Sequence, residues 1–320
     1  MPASSHPSAP PARPGPSGRY GPRETALLLV LSGMWGLSFL FIEFALDGLT
    51  PLWIVAARTI VGGVVLLVIL RTRRRALPRG WRVWRHLFVL GSVNNALPWA
   101  GVAWAQQELP SGLTALLMAL VPTSTLLVAA AIGLERMTRI RVVGLLLALG
   151  GVGLIVAGDL DQPGRVLAVA TVVAATVLYA VGAVYAKRHV SGTLPPLALA
   201  TGQVIAAATV TTPVALVVDG LPGAEALDAS ALAAVVALGV FGTGLAFLVF
   251  YVLIERVGAT NATMTTYLIP LVAVVAGALV LDERLGLTAL AGGALIGVGI
   301  WLSQRSSSPT AVELVEETHP

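Results

Sequence analysis

Leu120-Val121-Pro122, followed by Glu135-Arg136 and then Gly144, returns later as Leu268-Ile269-Pro270, Glu283-Arg284 and Gly292. Both stretches read P-x12-E-R-x7-G inside otherwise apolar sequence. Laid over each other without a gap, residues 96–154 and 244–302 share ten identities in 59 positions. The count is low, but the scarce residues (proline, glutamate, arginine, glycine) are the ones that coincide. Upstream, Pro51 and Pro195 open matching apolar runs, with Trp35 and Tyr179 the same distance before them. Self-similarity of this kind means that one structural unit is built twice.

The repeated unit is a membrane module. Of 320 residues, 56% are hydrophobic and 11% charged, against about 25% charged in soluble domains. The charges gather in short clusters and leave apolar runs of about 17–25 residues, enough to cross a hydrocarbon core of about 30 Å. Ten spans are expected, at 25–46, 51–70, 84–105, 111–132, 139–157, 165–187, 195–218, 230–253, 258–281 and 286–303. Residues 1–22 hold seven prolines and no apolar period, which predicts a disordered tail. Residues 23–157 and 165–303 then form the two repeats, and 304–320 a second tail. The glycines of spans five and ten, among them Gly293-x3-Gly297, suit close packing of helices in lipid.

Orientation follows from the basic residues. Of the 20 Lys and Arg, 17 fall in segments that are inside if the amino terminus is inside, two (Arg165, Arg284) fall outside, and Arg58 lies within a span. Positive charge marks the cytoplasmic side, so both termini are expected there, in a cell (inner or plasma) membrane. Trp81 and Trp84 beside Arg82 and Arg85 read as an interfacial anchor. Five spans per repeat is an odd number, so the second copy is inverted relative to the first. The fold class expected is therefore an all-α polytopic membrane protein with ten transmembrane helices as two inverted five-helix repeats. Secondary transporters use that design, with the substrate near the midplane between the halves.

Other classes are less well served. There is no Walker A loop, no H-E-x-x-H and no G-x-S-x-G. The absence of cysteine excludes disulfides, thiol catalysis and cysteine-based zinc sites. His6, His86, His189 and His319 share no ligand spacing and read as solvated surface, so neither metal nor cofactor is expected. Scattered basic loops do not suggest nucleic acid. The partners expected are the bilayer and a small-molecule substrate, and a monomer is compatible with the sequence. A membrane enzyme, a receptor or structural protein, an importer and a proton antiporter of amphipathic drugs stay as alternatives.

The sequence resembles the drug/metabolite transporter superfamily, in its ten-span members with two EamA domains. Trp35-Gly36-x2-Phe39 is similar to that family's opening motif, and Pro51 with Ala56-Ala57-Arg58 to its second span. The two L-[VI]-P…E-R stretches resemble its most distinctive pattern. Glu43 departs from it, standing where many relatives have lysine, and Gly202 stands where Arg58 would align in the second half. The resemblance implies a carrier of small metabolites, often an exporter of amino acids or related compounds. It also implies a central cavity, for which Trp35, Trp99, Met118, Tyr179, Phe247 and Tyr267 are candidates to line the wall.

Other residues stand out on their own chemistry. Arg58 is the one ionisable residue well inside a span, where a charge costs at least about 2.5–3.5 kcal/mol. Either it meets a substrate anion or it pairs with Glu43, and both hold if the substrate competes for that pair. Pro122 and Pro270 fall mid-span, where each frees a carbonyl four residues back, at Met118 and Thr266, and bends its helix. Those carbonyls either line a watery cavity or are satisfied by neighbouring hydroxyls such as Thr114 or Thr263, and Thr263 is also a candidate for the cavity wall. Asn94 and Asn95 are polar without charge and are candidates for ligand or interhelical bonding. Glu135 and Glu283 precede spans five and ten, as caps favoured by the helix dipole or as gate latches at opposite faces. With Glu43 too peripheral for a proton relay, uncoupled transport or exchange is expected.

Overall fold

The structure, a computed structural model, describes residues 21–158, 162–190, 193–223 and 228–304. The expected tails lie outside the described residues apart from Gly21, Pro22 and Gln304, as do the loop carboxylates Asp159, Asp161 and Glu225. Every regular element among the described residues is helical, and the helices assemble into ten rods. The first five are α1 (Pro22–Leu46), α2 (Pro51–Thr72), α3 (81–105), α4 (Ser111–Ala131) and α5 (Arg139–Ala157). The second five are α6 (Pro163–His189), α7 (Pro196–Val218), α8 (Ala229–Val257), α9 (Thr265–Val280) and α10 (Leu287–Gln304). Eight are long and apolar enough to cross a membrane. The other two are α3, whose first turns carry Arg82 and Arg85, and α9, preceded by a short helical turn at Ala259–Ala262.

Local chemistry sets the ends of the rods. Proline stands in the first turn of α1, α2, α6 and α7, where its missing N–H costs nothing. Thr50 caps α2 by accepting the Trp53 N–H, and the Asp228 carboxylate caps α8 by accepting those of Ser230 and Ala231. Gly258, at φ 85°, ends α8 in a conformation that favours glycine.

The packing obeys a two-fold relation that exchanges each rod with the one five places on. α5 lies along α10 and α2 along α7, each pair mapping onto itself. α1 against α9 is mirrored by α6 against α4, and α3 against α7 by α8 against α2. At the α5–α10 crossing a methyl group on Gly144 would lie 2.5 Å from the Gly299 carbonyl oxygen, and one on Gly151 2.5 Å from that of Gly292. Those four glycines are themselves repeat partners, Gly144 with Gly292 and Gly151 with Gly299. The expected Gly293-x3-Gly297 motif does not serve this contact: Gly293 faces the Leu116 side chain, and a methyl on Gly297 would meet nothing within 4 Å. Large exposed apolar side chains such as Leu29, Val64, Leu146, Leu167 and Leu271 face outward from the rods, as lipid contact requires.

Two features escape the sequence pattern. Each repeat carries a π-helical turn at the same place, Ser92–Ala96 in α3 and Val240–Leu245 in α8. An inserted residue of this kind re-aims the side chains around it, and such turns recur at functional sites. The two mid-span prolines also behave differently. Pro122 follows a break in α4 at Ala119–Leu120, whereas Pro270 sits inside an unbroken helix whose break comes earlier, at Thr263–Met264. Thr114 does not reach the Met118 carbonyl as expected, since its hydroxyl donates to the Pro110 carbonyl at 3.1 Å.

Candidate substrate-binding site

A cavity of about 460 Å³ lies between the repeats. Its lining reaches Ala186, Leu199 and Tyr251, close to the rod ends that carry Lys187, Arg188 and Arg256. At the other end it stops at Phe39, Ile42, Val102 and Ala115. These belong to a buried apolar cluster with Ala45, Leu49, Ile54 and Ala273, which seals that pole. The cavity therefore opens towards the basic pole only.

Arg58 is the one charged side chain in the wall. It is 6% exposed, its guanidinium carbon lies 3.7 Å from the centre of the Trp99 ring, and Nε donates to Thr243 Oγ1 at 3.2 Å. Trp99 in turn donates its Nε1 hydrogen to Tyr179 Oη at 2.6 Å. The aromatic face attracts the cation and orients it, but a guanidinium has five N–H donors and Thr243 takes one. The expected pair with Glu43 is not formed. Glu43 instead accepts from Gln106 Nε2 at 3.1 Å, an amide that also donates to the Phe39 carbonyl at 2.9 Å. Among the described residues Arg58 has no carboxylate partner. Across the cavity Trp35 packs on Phe250 at 5.3 Å and edge-on to Phe247 at 6.5 Å.

Comparison with known proteins matches this chain to the EamA-like transporter family over residues 24–157 and 166–304. The chain belongs to the EamA-like transporter family. It is a multi-pass membrane transporter, and several of its relatives are named as transporters. An uncharacterized transporter of Archaeoglobus fulgidus is 26% identical over 285 residues, 88% of this chain and 99% of the relative. The uncharacterized inner membrane transporter YedA of Escherichia coli is 28% identical over 251 residues, 78% of this chain and 80% of its own. A probable terminal-alkyne amino-acid exporter of Streptantibioticus cattleyicolor is 27% identical over 282 residues, covering 85% and 90%. One solved crystal structure superposes with a TM-score of 0.63 at 20% identity, over 89% of this chain and 99% of that one, which shows the shared fold.

In this EamA-like transporter, Trp35, Arg58, Asn95, Trp99, Met118, Tyr179, Phe247 and Pro270 come together in the cavity wall. Tyr267 and Thr263 do not. Tyr267 turns to the apolar cluster of Leu117, Leu120 and Ile296, and Thr263 lies in the turn before α9, which brings Thr266 and Ile269 to the wall instead. Gln203, Phe250 and Tyr251 line the cavity, and Thr243 stands behind the wall as the partner of Arg58; the sequence pattern marks none of them. Thr243 is the repeat partner of Asn95, and Phe250 and Tyr251 follow Phe247 by three and four residues on the same helix face. His189 is exposed as expected; His86 is half-buried, stacked on it at 5.6 Å with its Nδ1 2.7 Å from Tyr185 Oη.

Glu135 and Glu283 occupy opposite poles and make different bonds. Glu135 pairs with Arg141 at 3.1 Å, on the helix that follows it. Glu283 does not cap the helix that follows it; it accepts the backbone N–H groups of Ser111 and Gly112 in α4. Around it lies a second cavity of about 510 Å³, whose wall holds Glu43, Asp47 and Glu108 as well.

Proposed function

We propose that this EamA-like transporter is a secondary carrier that exports a small organic metabolite, an amino acid or a related compound, by alternating access. The observation that carries the substrate side is Arg58, a cation held in the cavity wall with no carboxylate to neutralise it. An unpaired charge at membrane depth is expensive and marks a pathway rather than a structural pair. A substrate carboxylate would complete it with two parallel charge-assisted hydrogen bonds, for which arginine is the suited cation. The rest of the wall is aromatic and aliphatic, so the substrate has an apolar body behind its anionic group. A volume of about 460 Å³ falls within the ordinary range for small-molecule sites, about 300–1,000 Å³.

Alternating access is supported by the inverted repeat and by a cavity open at one pole only. With both termini cytoplasmic, as the basic residues argue, that pole faces the cytoplasm and the carboxylate-rich pole faces out. The name of the amino-acid exporter relative favours export and amino-acid-like cargo. The wall of the cavity contains no aspartate or glutamate, so transport is uncoupled or by exchange.

The test is metabolite profiling of medium from cells producing the wild type, Arg58→Gln at matched membrane levels, or neither. The expected result is a compound bearing a carboxylate or other anionic group that accumulates outside only with the wild type. Equal export by Arg58→Gln, or an exported compound with no anionic group, contradicts the assignment.

A further inference from the structure

Glu283 stands in the connection between α9 and α10, yet it holds the beginning of α4. Ser111 N–H donates to its Oε1 at 2.7 Å and Gly112 N–H to its Oε2 at 3.0 Å, across 172 and 171 positions of sequence. Both groups lie in the first turn of a helix, where no intrahelical acceptor exists and the dipole favours a carboxylate. The neighbouring backbone leaves space for the grip. A methyl group on Gly277 would lie 2.4 Å from Oε2, and one on Gly112 3.3 Å from it. The contact ties the second repeat to the first at the pole that is shut. Its repeat partner Glu135 sits at the open pole, with its side chain 44% exposed and bonded to Arg141 beside it.

We propose that Glu283 is the latch of the gate at the carboxylate-rich pole, docked on α4 while that pole is shut and released when it opens. The proposal rests on alternating access. Two charge-assisted bonds between rods of different repeats must break before those rods can part, so their strength sets the population of the open state. Leu281 and Pro110, which flank the two halves of the contact, share the wall of the carboxylate-rich cavity with Glu283. The wall of that cavity holds Glu43, Asp47 and Glu108 and no cation, so a released Glu283 would find only like charge within it, with Arg165 and Arg284 at the same pole but outside that wall. Opening costs the two bonds to α4, as a gate needs.

The chain has no cysteine, so a single introduced thiol reports on one place. Ala45→Cys, fully buried in the sealing cluster, reports opening at the latch pole. Ala183→Cys, in the cavity wall, reports the basic pole. A membrane-impermeant maleimide is applied to intact cells for the first and to inverted vesicles for the second. Each reporter is combined with Glu283→Gln or with Ser111→Pro. The latter removes one donor at the first helical position, which tolerates proline, and Pro110 with ψ 147° already suits a following proline. Both variants should label Ala45→Cys at least about fivefold faster and Ala183→Cys more slowly. Unchanged rates in both variants, with both reporters labelled in the parent, overturn the latch and leave alternating access standing. An Ala45→Cys parent that never labels from outside overturns alternating access itself. Faster labelling of both reporters together makes Glu283 a cap whose loss loosens the fold, and the latch fails.

Discussion

At the scale of the residue, Arg58 makes a prediction that separates a substrate cation from half of a structural pair. Removing one partner of a buried ion pair costs about 3–5 kcal/mol, because the other charge is left alone. Removing a charge that has no carboxylate partner relieves the cost of burying it. Arg58→Met should therefore keep or raise the melting temperature in detergent, and weaken binding of carboxylates by about tenfold or more. Phenylacetate, phenylalanine and phenethylamine share one ring and differ in charge, and Trp99 beside Arg58 provides a fluorescence readout. The two carboxylates should quench it and the amine should not, and Arg58→Met should abolish the difference. Glu43→Gln should leave both affinities within about threefold, since Glu43 bonds to Gln106 and not to Arg58. The importance of Arg58 was legible because no other charge lies so deep in a span. Its surroundings were not. Counting along a helix places a side chain at a depth, which put Glu43 and Arg58 towards the same outer boundary, but says nothing of the direction each one faces.

At the scale of the element, the α5–α10 crossing depends on backbones in contact. Gly292→Ala would press a methyl group to 2.6 Å from the Gly151 carbonyl oxygen, and overpacking of this kind costs about 1–3 kcal/mol. Thermal unfolding in detergent should show a lowered midpoint for Gly292→Ala. Gly150→Ala, on α5 at the same crossing, meets nothing within 4 Å and should melt with the parent. The broken α4 carries a second prediction. Pro122→Ala restores a backbone donor next to the break at Ala119–Leu120 and allows the helix to run through. It should slow efflux of the identified compound from loaded proteoliposomes without lowering the melting midpoint, and unchanged efflux would remove the break from the transport cycle. The rods themselves were legible, since lipid demands long apolar runs bounded by charge, proline and glycine. The π-helical turns were not, because one extra residue in a turn changes neither composition nor length enough to be seen.

At the scale of the molecule, the repeat found in a few scarce residues becomes a two-fold relation between rods, and the departures from that symmetry define a state. One pole is sealed by apolar side chains and by Glu283 on α4, while the other holds Glu135 beside Arg141 and an open cavity. Two identical motifs do different work because the molecule is closed at one end only. The matching glutamates could be read from the sequence. The 172-residue reach from Glu283 to Ser111 could not, since it depends on how the repeats dock. The central claim is that one cavity is presented to each side in turn. Met118, in the cavity wall next to the break in α4, is the place to ask. A Met118→Cys variant of the cysteine-free chain should react with an impermeant maleimide in inverted vesicles and, more slowly, in intact cells. Reaction from either side should abolish later reaction from the other. A thiol that reacts from one side only, however long the exposure, would contradict alternating access.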